Sequence, residues 1–185
     1  KLQYSHAIFV GRKTLKDKDE LLQIFDSLRA EGVDVMFDIY NECLGVSIIT
    51  VILPAWYQAM NEKQRNSLMT RIKLSVLVKA TSRLLGFGFK DIQIAYIGPG
   101  YEKYEGKTVH QIAQEEGTSD LKAYKMLCEK SNFAGRVNMG PYSTPEIISA
   151  FEHDDRCLYM TDAWVEDHGV QNPAVYDCYP KFLRI

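Results

Sequence analysis

The 185-residue chain has almost no excess charge of either sign: 22 Lys and Arg face 24 Asp and Glu, for a formal net charge of −2. That balance excludes a strongly basic nucleic-acid platform. No apolar run approaches the ~18 residues a membrane-crossing helix needs, so no membrane partner is expected. The longest such stretch, Leu44 to Trp56, is interrupted by Ser47, Thr50 and Pro54. The four cysteines, Cys43, Cys128, Cys157 and Cys178, form no Cys-x-x-Cys pair, no zinc-finger spacing and no disulfide framework. They read as free thiols, small buried hydrophobes in a reducing compartment, and point to a cytoplasmic location. There is no His-x-His, no His-Glu-x-x-His and no Gly-x-x-x-x-Gly-Lys, so Gly86-Phe87-Gly88 and Gly98-Pro99-Gly100 are turns, not phosphate cradles. No repeat, low-complexity segment or signal-peptide pattern is found.

What is present is a chain that is 46% hydrophobic, 25% charged and 11% aromatic, enough for one sizeable core or for part of a larger domain. Residues 2 to 9 predict a strand, and Asp17 to Glu31 a helix with Leu21, Phe25 and Leu28 on one stripe and Ile24 beside it. Gly32 stops that helix, and Val33 to Tyr40 predicts a buried strand. Strand, helix, strand in so short a span is a βαβ unit with parallel strands. From residue 41 to about 117 that rhythm is lost. Leu44 to Leu53 and Asp91 to Ile97 are strand-like, and Asn61 to Leu85 predicts one long helix with Leu68, Ile72, Val76 and Lys79 on a face. Helices follow at Thr108–Glu116, Ser119–Lys130 and Thr144–His153, the last with Pro145 at its first position. A short strand is predicted at Val137–Met139 and another at Arg156–Thr161, ending in Asp162. Lys1 begins as if inside a strand and the last residues add no closing element, so the chain is expected to be a piece of a longer protein.

Two positions carry candidate chemistry. His6 ends the first strand and Asp162 ends the last, and in a parallel barrel both ends open into one mouth. A neutral imidazole suits zinc, and a carboxylate beside activated water is a general base. Asp38 also falls near a strand end, where α/β folds place ligand-binding residues. On spacing alone, a lone His at a strand end is more often structural, and an Asp before a loop is more often a cap or turn residue. His153 reads as a helix C-terminus, His110 as an exposed helical residue, and His168 as part of a solvated acidic turn or a cation-binding loop. Tyr96, Tyr101 and Tyr104 cluster near a turn, as pocket lining or as packing.

Several segments, in order, resemble the N-acyl-D-amino-acid deacylases of the amidohydrolase superfamily. Tyr4-Ser5-His6 with Gly11-Arg12-Lys13 resembles the Ser-His segment of their sixth barrel strand. Gly32-Val33-Asp34-Val35 to Asp38-Ile39-Tyr40 is similar to their next strand, which ends Asp-x-Tyr-Pro-Tyr. Glu105-Gly106-Lys107-Thr108 with Ile112 to Gly117 resembles their Gly-Lys-Thr…Ile-Ala-Glu-Glu-x-Gly stretch. Met160-Thr161-Asp162-Ala163 resembles Gly-Ser-Asp-Gly on the last strand, and Asn172-Pro173-Ala174-Val175-Tyr176 running to Leu183 resembles His-Pro-Arg-x-Tyr-Gly-Thr-Phe-Pro-Arg-x-Leu.

The resemblance implies an α/β fold, part of a (β/α)8 barrel from about strand six to strand eight with an inserted α+β lid over the site. It divides the chain into a barrel βαβ unit at 1–40, an insertion at 41–117, and the last helices, last strand and following loop at 118–185. It implies zinc, one or two ions, with His6 as a ligand, Asp162 as the base that activates water, and Asp38, Tyr40 and Tyr176 as candidate substrate-binding residues. The implied activity is hydrolysis of a small-molecule amide. The family's other ligands have no counterpart between Lys1 and Ile185, so the isolated chain is expected to be inactive; an open half barrel exposes strand edges and apolar helix faces, so it is also expected to self-associate. Ile8 and Ala174 stand where the family has Lys and Arg, which removes two partners for a substrate carboxylate. Asn41-Glu42 replaces Pro-Tyr and Ala163 replaces the last Gly. The alternative expectation is an amidohydrolase-like binding or assembly module without catalysis.

Overall fold

The computed structural model describes residues 1–163 and 165–184. In chain order the elements are β1 (Leu2–Tyr4), α1 (Lys18–Ala30), β2 (Val35–Ile39), β3 (Gly45–Ile48), α2 (Ala55–Gln58), α3 (Glu62–Arg65), α4 (Leu68–Leu85), β4 (Ile92–Tyr96), α5 (Val109–Glu115), α6 (Asp120–Lys130), β5 (Arg136–Met139), α7 (Pro145–Glu152), β6 (Cys157–Tyr159) and α8 (Ala174–Leu183). The chain is α/β, with two three-stranded sheets among the described residues. It divides into two compact units. One comprises residues 1–46, 140–167 and 171–184 of those described; the other comprises 47–139 and 168–170.

The first unit is built on the parallel sheet β1–β2–β6. Leu2 pairs with Val35 and Phe37 pairs with Cys157, with α1 as the crossover, as the βαβ pattern predicts. β2 is central because its alternation suits a buried strand: Val35, Phe37 and Ile39 are buried, while Met36 and Asp38 are half-buried on the other face. Phe37 is sandwiched between Phe25 of α1, stacked at 5.2 Å, and Phe151 of α7, edge-on at 5.3 Å. α7 starts where the sequence places it, with Thr144 accepting from the Ile147 amide and Pro145 at the first position. At the start of β6 the buried Arg156 guanidinium grips Asp154 through two bonds of 2.8 and 2.7 Å and pairs with Asp26 at 2.8 Å. That contact holds the Asp154 carboxyl below its ordinary range.

The second sheet has the strand order β3–β5–β4, and its strands β4 and β5 lie in the second unit. β4 and β5 are antiparallel, with Ile92 opposite Met139 and Ile94 opposite Val137. Ile94, Ile112, Leu127 and Val137 are fully buried, and the buried Tyr124 hydroxyl donates to the Ile49 carbonyl. α5 opens with a capping box between Thr108 and Gln111.

Three local expectations are corrected. The first strand stops at Tyr4 rather than residue 9, because His6 adopts left-handed backbone (φ 61°) and takes the chain out of the sheet. The predicted strand from Leu44 to Leu53 is strand only through Ile48, then a 3-10 turn over Ile49–Ile52. The single helix over Asn61–Leu85 is two: Asn61 caps α3 in a box with Gln64, and Ser67, extended, caps α4 through the Thr70 amide. Two N-caps six residues apart cannot share one continuous helix.

Phe37→Ala is expected to cost about 3–5 kcal/mol in urea unfolding, since its cavity is lined by rings on both sides. Arg156→Met is expected to cost about 3 kcal/mol by stranding Asp154. Asp154 has a depressed value in the fold, so its stabilisation is present above the ordinary carboxylate range and lost as pH falls through that lowered value. The acid limb of the stability curve should therefore be flatter in Arg156→Met than in the wild type.

Candidate functional site

Parallel strands present their C-terminal ends along one edge, and in this unit the edge carries His6 after β1, Asp38 and Tyr40 at the end of β2, and Asp162 after β6. His6 and Asp162 both sit in left-handed backbone, at φ 61° and 44°. Neither is glycine, and such a conformation costs on the order of 1–3 kcal/mol, so each must be held by its surroundings. Asp38 holds the first. Its Oδ1 accepts the His6 backbone N–H at 2.7 Å, and its Oδ2 accepts from the Gln3 side-chain amide at 2.9 Å and from the Ser5 hydroxyl at 3.3 Å. The Ala7 N–H donates to the Asp38 carbonyl at 2.9 Å. On the other flank of β2, the Met160 N–H donates to the Ile39 carbonyl at 3.0 Å and sets the approach to Asp162.

The result is a contact between the ends of the two outer strands: His6 Nε2 lies 3.2 Å from Asp162 Oδ1, with side chains 47% and 35% exposed. Burial pushes the Asp162 carboxyl above its ordinary value. The charge and hydrogen bond of His6 pull the other way, and the negative charge of Asp38 adds a smaller upward push. Burial wins, so this carboxylate is a better proton acceptor than a solvated one.

Tyr40 is 3% exposed, and its hydroxyl has no hydrogen-bond partner among the described residues. Its phenol is raised, first by burial and then by the Asp162 charge. Tyr142, also buried, is pushed up to about 12 by the same two causes. The two phenols meet at Gly45, where a Cβ would lie 2.5 Å from the Tyr142 ring and 2.8 Å from the Tyr40 hydroxyl. Tyr142 and Gly45 were not singled out in the sequence. Gly45 opens a strand and Tyr142 lies in a loop, and only the tertiary approach of residues 40–46 and 140–144 reveals them. The loop after β2 is further fastened by Cys178 of α8, which accepts the Asn41 N–H at 3.2 Å, and by a Lys181–Glu42 ion pair.

The remaining candidates lie elsewhere. Tyr176 is on the outer side of α8, 63% exposed, and makes no hydrogen bond or ring contact with His6, Asp38 or Asp162. His110 is half-buried and pairs with Asp120 at 3.0 Å, correcting the exposed reading. His153 is the C-cap of α7, and the exposed His168 ring lies against Tyr96. Tyr101 and Tyr104 stack on one another as packing.

A catalytic zinc takes three protein ligands and a water. His6 Nε2 and Asp162 Oδ1 are close enough to face one cation, but among the described residues no group of three or more His, Cys, Asp or Glu side chains comes together. The described residues alone therefore do not make up a catalytic zinc site.

No family model matches the chain, and no curated protein matches it. Solved structures do. An N-acyl-D-glutamate deacylase from Bordetella bronchiseptica, complexed with zinc and a phosphonate mimic of the tetrahedral intermediate, superposes with a TM-score of 0.64 at 16% identity over 98% of this chain. The chain shares its fold with a segment of the deacylases. A D-aminoacylase studied for its binuclear metal centre matches with a TM-score of 0.62 at 16% identity over 97% of this chain. A further D-aminoacylase structure, described as defining a novel subset of amidohydrolases, matches equally well at 15% identity. The chain spans only 31% and 29% of the first two of those proteins, about three-tenths of their length. The family resemblance in the sequence thus holds for the fold of a segment. No helix of the described residues is long and apolar enough to cross a membrane.

Gly45→Ala is expected to separate the two phenols from the strand end and to cost about 1–3 kcal/mol by overpacking. Chemical denaturation measures the cost, and tyrosine fluorescence should report the displaced rings.

Proposed function

We propose that this chain is the part of an amidohydrolase catalytic barrel that carries its sixth to eighth strands, with an inserted α+β segment between barrel elements, and that the longer protein hydrolyses the amide C–N bond of a small molecule. The observation that carries this reading is the pair His6 and Asp162, two strained residues on the C-terminal edge of one parallel sheet, 3.2 Å apart. Asp162 is the proton acceptor. It takes a proton from the attacking water as the water oxygen bonds to the carbonyl carbon, then returns it to the departing nitrogen as the C–N bond breaks, leaving a carboxylic acid and an amine. The burial that raises Asp162 suits both halves of that exchange. His6 would be one ligand of a zinc site holding one or two ions, whose other ligands come from outside these 185 residues; when bound, the metal supplies polarisation of the carbonyl.

In this reading Ile8 and Ala174, apolar where the resembling family is basic, favour a substrate without a free carboxylate beside the scissile amide. The four free thiols suit a reducing compartment such as the cytoplasm. β1 and β6 each have one strand neighbour among the described residues, and Leu2, Tyr4, Leu158 and Tyr159 are exposed there. Open edges of this kind pair with other chains, so the isolated chain self-associates. A second reading, a non-catalytic amidohydrolase-like binding module, is favoured by the donor count, since His6 and Asp162 contribute two donors and not three.

In the longer protein, Asp162→Asn should lower turnover by about 10³-fold or more while bound metal stays at wild-type content. Wild-type turnover in that variant contradicts the role of Asp162. Bound metal with no amide hydrolysis in the wild type favours the binding module. For the isolated chain, light scattering should give a dimer or larger; a clean monomer at high concentration contradicts edge pairing.

A further inference from the structure

The second unit carries a feature that amide hydrolysis does not use. α4 has four cations, Arg71, Lys73, Lys79 and Arg83, and no carboxylate. Its inward side buries Thr70 and Leu74. Its outward side presents Leu68, Ile72 and Val76, spaced i, i+4, i+8 along about 12 Å of helix. Leu68 and its neighbour Met69 are 71% and 76% exposed. That row forms one wall of a groove of about 350 Å³, whose other wall comes from Leu121, Lys122 and Lys125 of α6, with Tyr57 also lining it. Four cations, Arg65, Arg71, Lys122 and Lys125, line the groove, and no carboxylate does.

These cations are weakly compensated. The side chains of Arg71 and Lys122 have no ion-pair or hydrogen-bond partner among the described residues. Arg65 donates to the Met60 carbonyl and lies over the Phe133 ring, 4.4 Å from its centroid. Lys125 reaches the neutral Asn66 side chain at 3.4 Å and lies 6.0 Å from the centroid of the Tyr57 ring, with Glu129 the carboxylate beside it. Burial pushes the Lys125 ammonium down, with Arg71 and Arg65 adding to the push and Glu129 opposing it.

We propose that the groove between α4 and α6 docks an acidic amphipathic helix of a partner protein. Charge complementarity requires an anionic occupant, and the apolar row requires an occupant with apolar side chains at helical spacing. A small anion would satisfy the cations and leave the row wet. A bilayer surface meets convex apolar ridges flanked by cations, whereas here the row lines a concavity. An acidic helix of two or three turns satisfies both.

The test uses the 185-residue chain and a fluorescein-labelled helical peptide of about 18 residues, with Leu and Ala on one face and Glu on the other. The proposal expects saturable anisotropy that weakens about tenfold or more when salt rises from about 50 to 300 mM. A scrambled peptide of the same composition should bind at least about tenfold more weakly. Arg71→Glu with Lys122→Glu, and separately Ile72→Glu, should each reduce binding by a similar factor, with circular dichroism confirming that the variants stay folded. No saturable binding, equal binding of the scrambled peptide, or wild-type affinity in both sets of variants would overturn the proposal. Sedimentation with phosphatidylserine vesicles that is lost in the same variants, without peptide binding, would overturn it in favour of a lipid surface. Self-association abolished by Ile72→Glu would overturn it in favour of a second copy of this chain.

Discussion

The carboxylate of Asp38 is the contact on which the candidate site depends. It sits on the central strand of the parallel sheet and spends both oxygens on the end of β1: one on the His6 N–H, the other on Gln3 and Ser5. A non-glycine residue at φ 61° relaxes to ordinary backbone unless such bonds outweigh the strain. Asp38 is in that place because Phe37 on one side of it and Ile39 on the other are buried, with Phe37 locked between Phe25 and Phe151. The packing of three phenyl rings thus fixes the register that puts one carboxylate under the histidine.

The chemistry of the pair rests on competition between burial and charge. Burial raises Asp162, His6 lowers it, and Asp38 raises it slightly. Were the histidine dominant, Asp162 would be a tightly held anion with little appetite for a proton. Because burial dominates, the carboxylate sits nearer the pH at which it can both take and return one. Tyr40 and Tyr142 extend the same enclosed environment, each raised by burial first and by the Asp162 charge second.

Much of this was legible in the sequence because it follows from periodicity and capping. The alternation of Val35, Phe37 and Ile39, the helix stop at Gly32, and Thr144-Pro145 at the start of α7 all act within a few residues. His6, Asp38 and Asp162 were legible as strand ends, and the parallel order brings them to one edge. What was not legible depends on tertiary approach. The early end of β1 comes from the Asp38–His6 bond, across 32 positions. The break between α3 and α4 comes from two caps that a hydrophobic stripe does not reveal. The stripe itself, Leu68, Ile72 and Val76, faces outward, because periodicity gives a face but not the side on which a core lies. Gly45 and Tyr142 matter only because residues far apart in sequence meet there.

The measurement that bears most directly on the coupled His6–Asp162 pair is a ¹³C NMR pH titration of the Asp162 carboxyl carbon, in the wild type and in His6→Asn. The account predicts a midpoint above the ordinary aspartate range in the wild type, and a further rise in the variant, because His6 is the group that pulls the value down. A midpoint at or below the ordinary range, unmoved by loss of the imidazole, would contradict it.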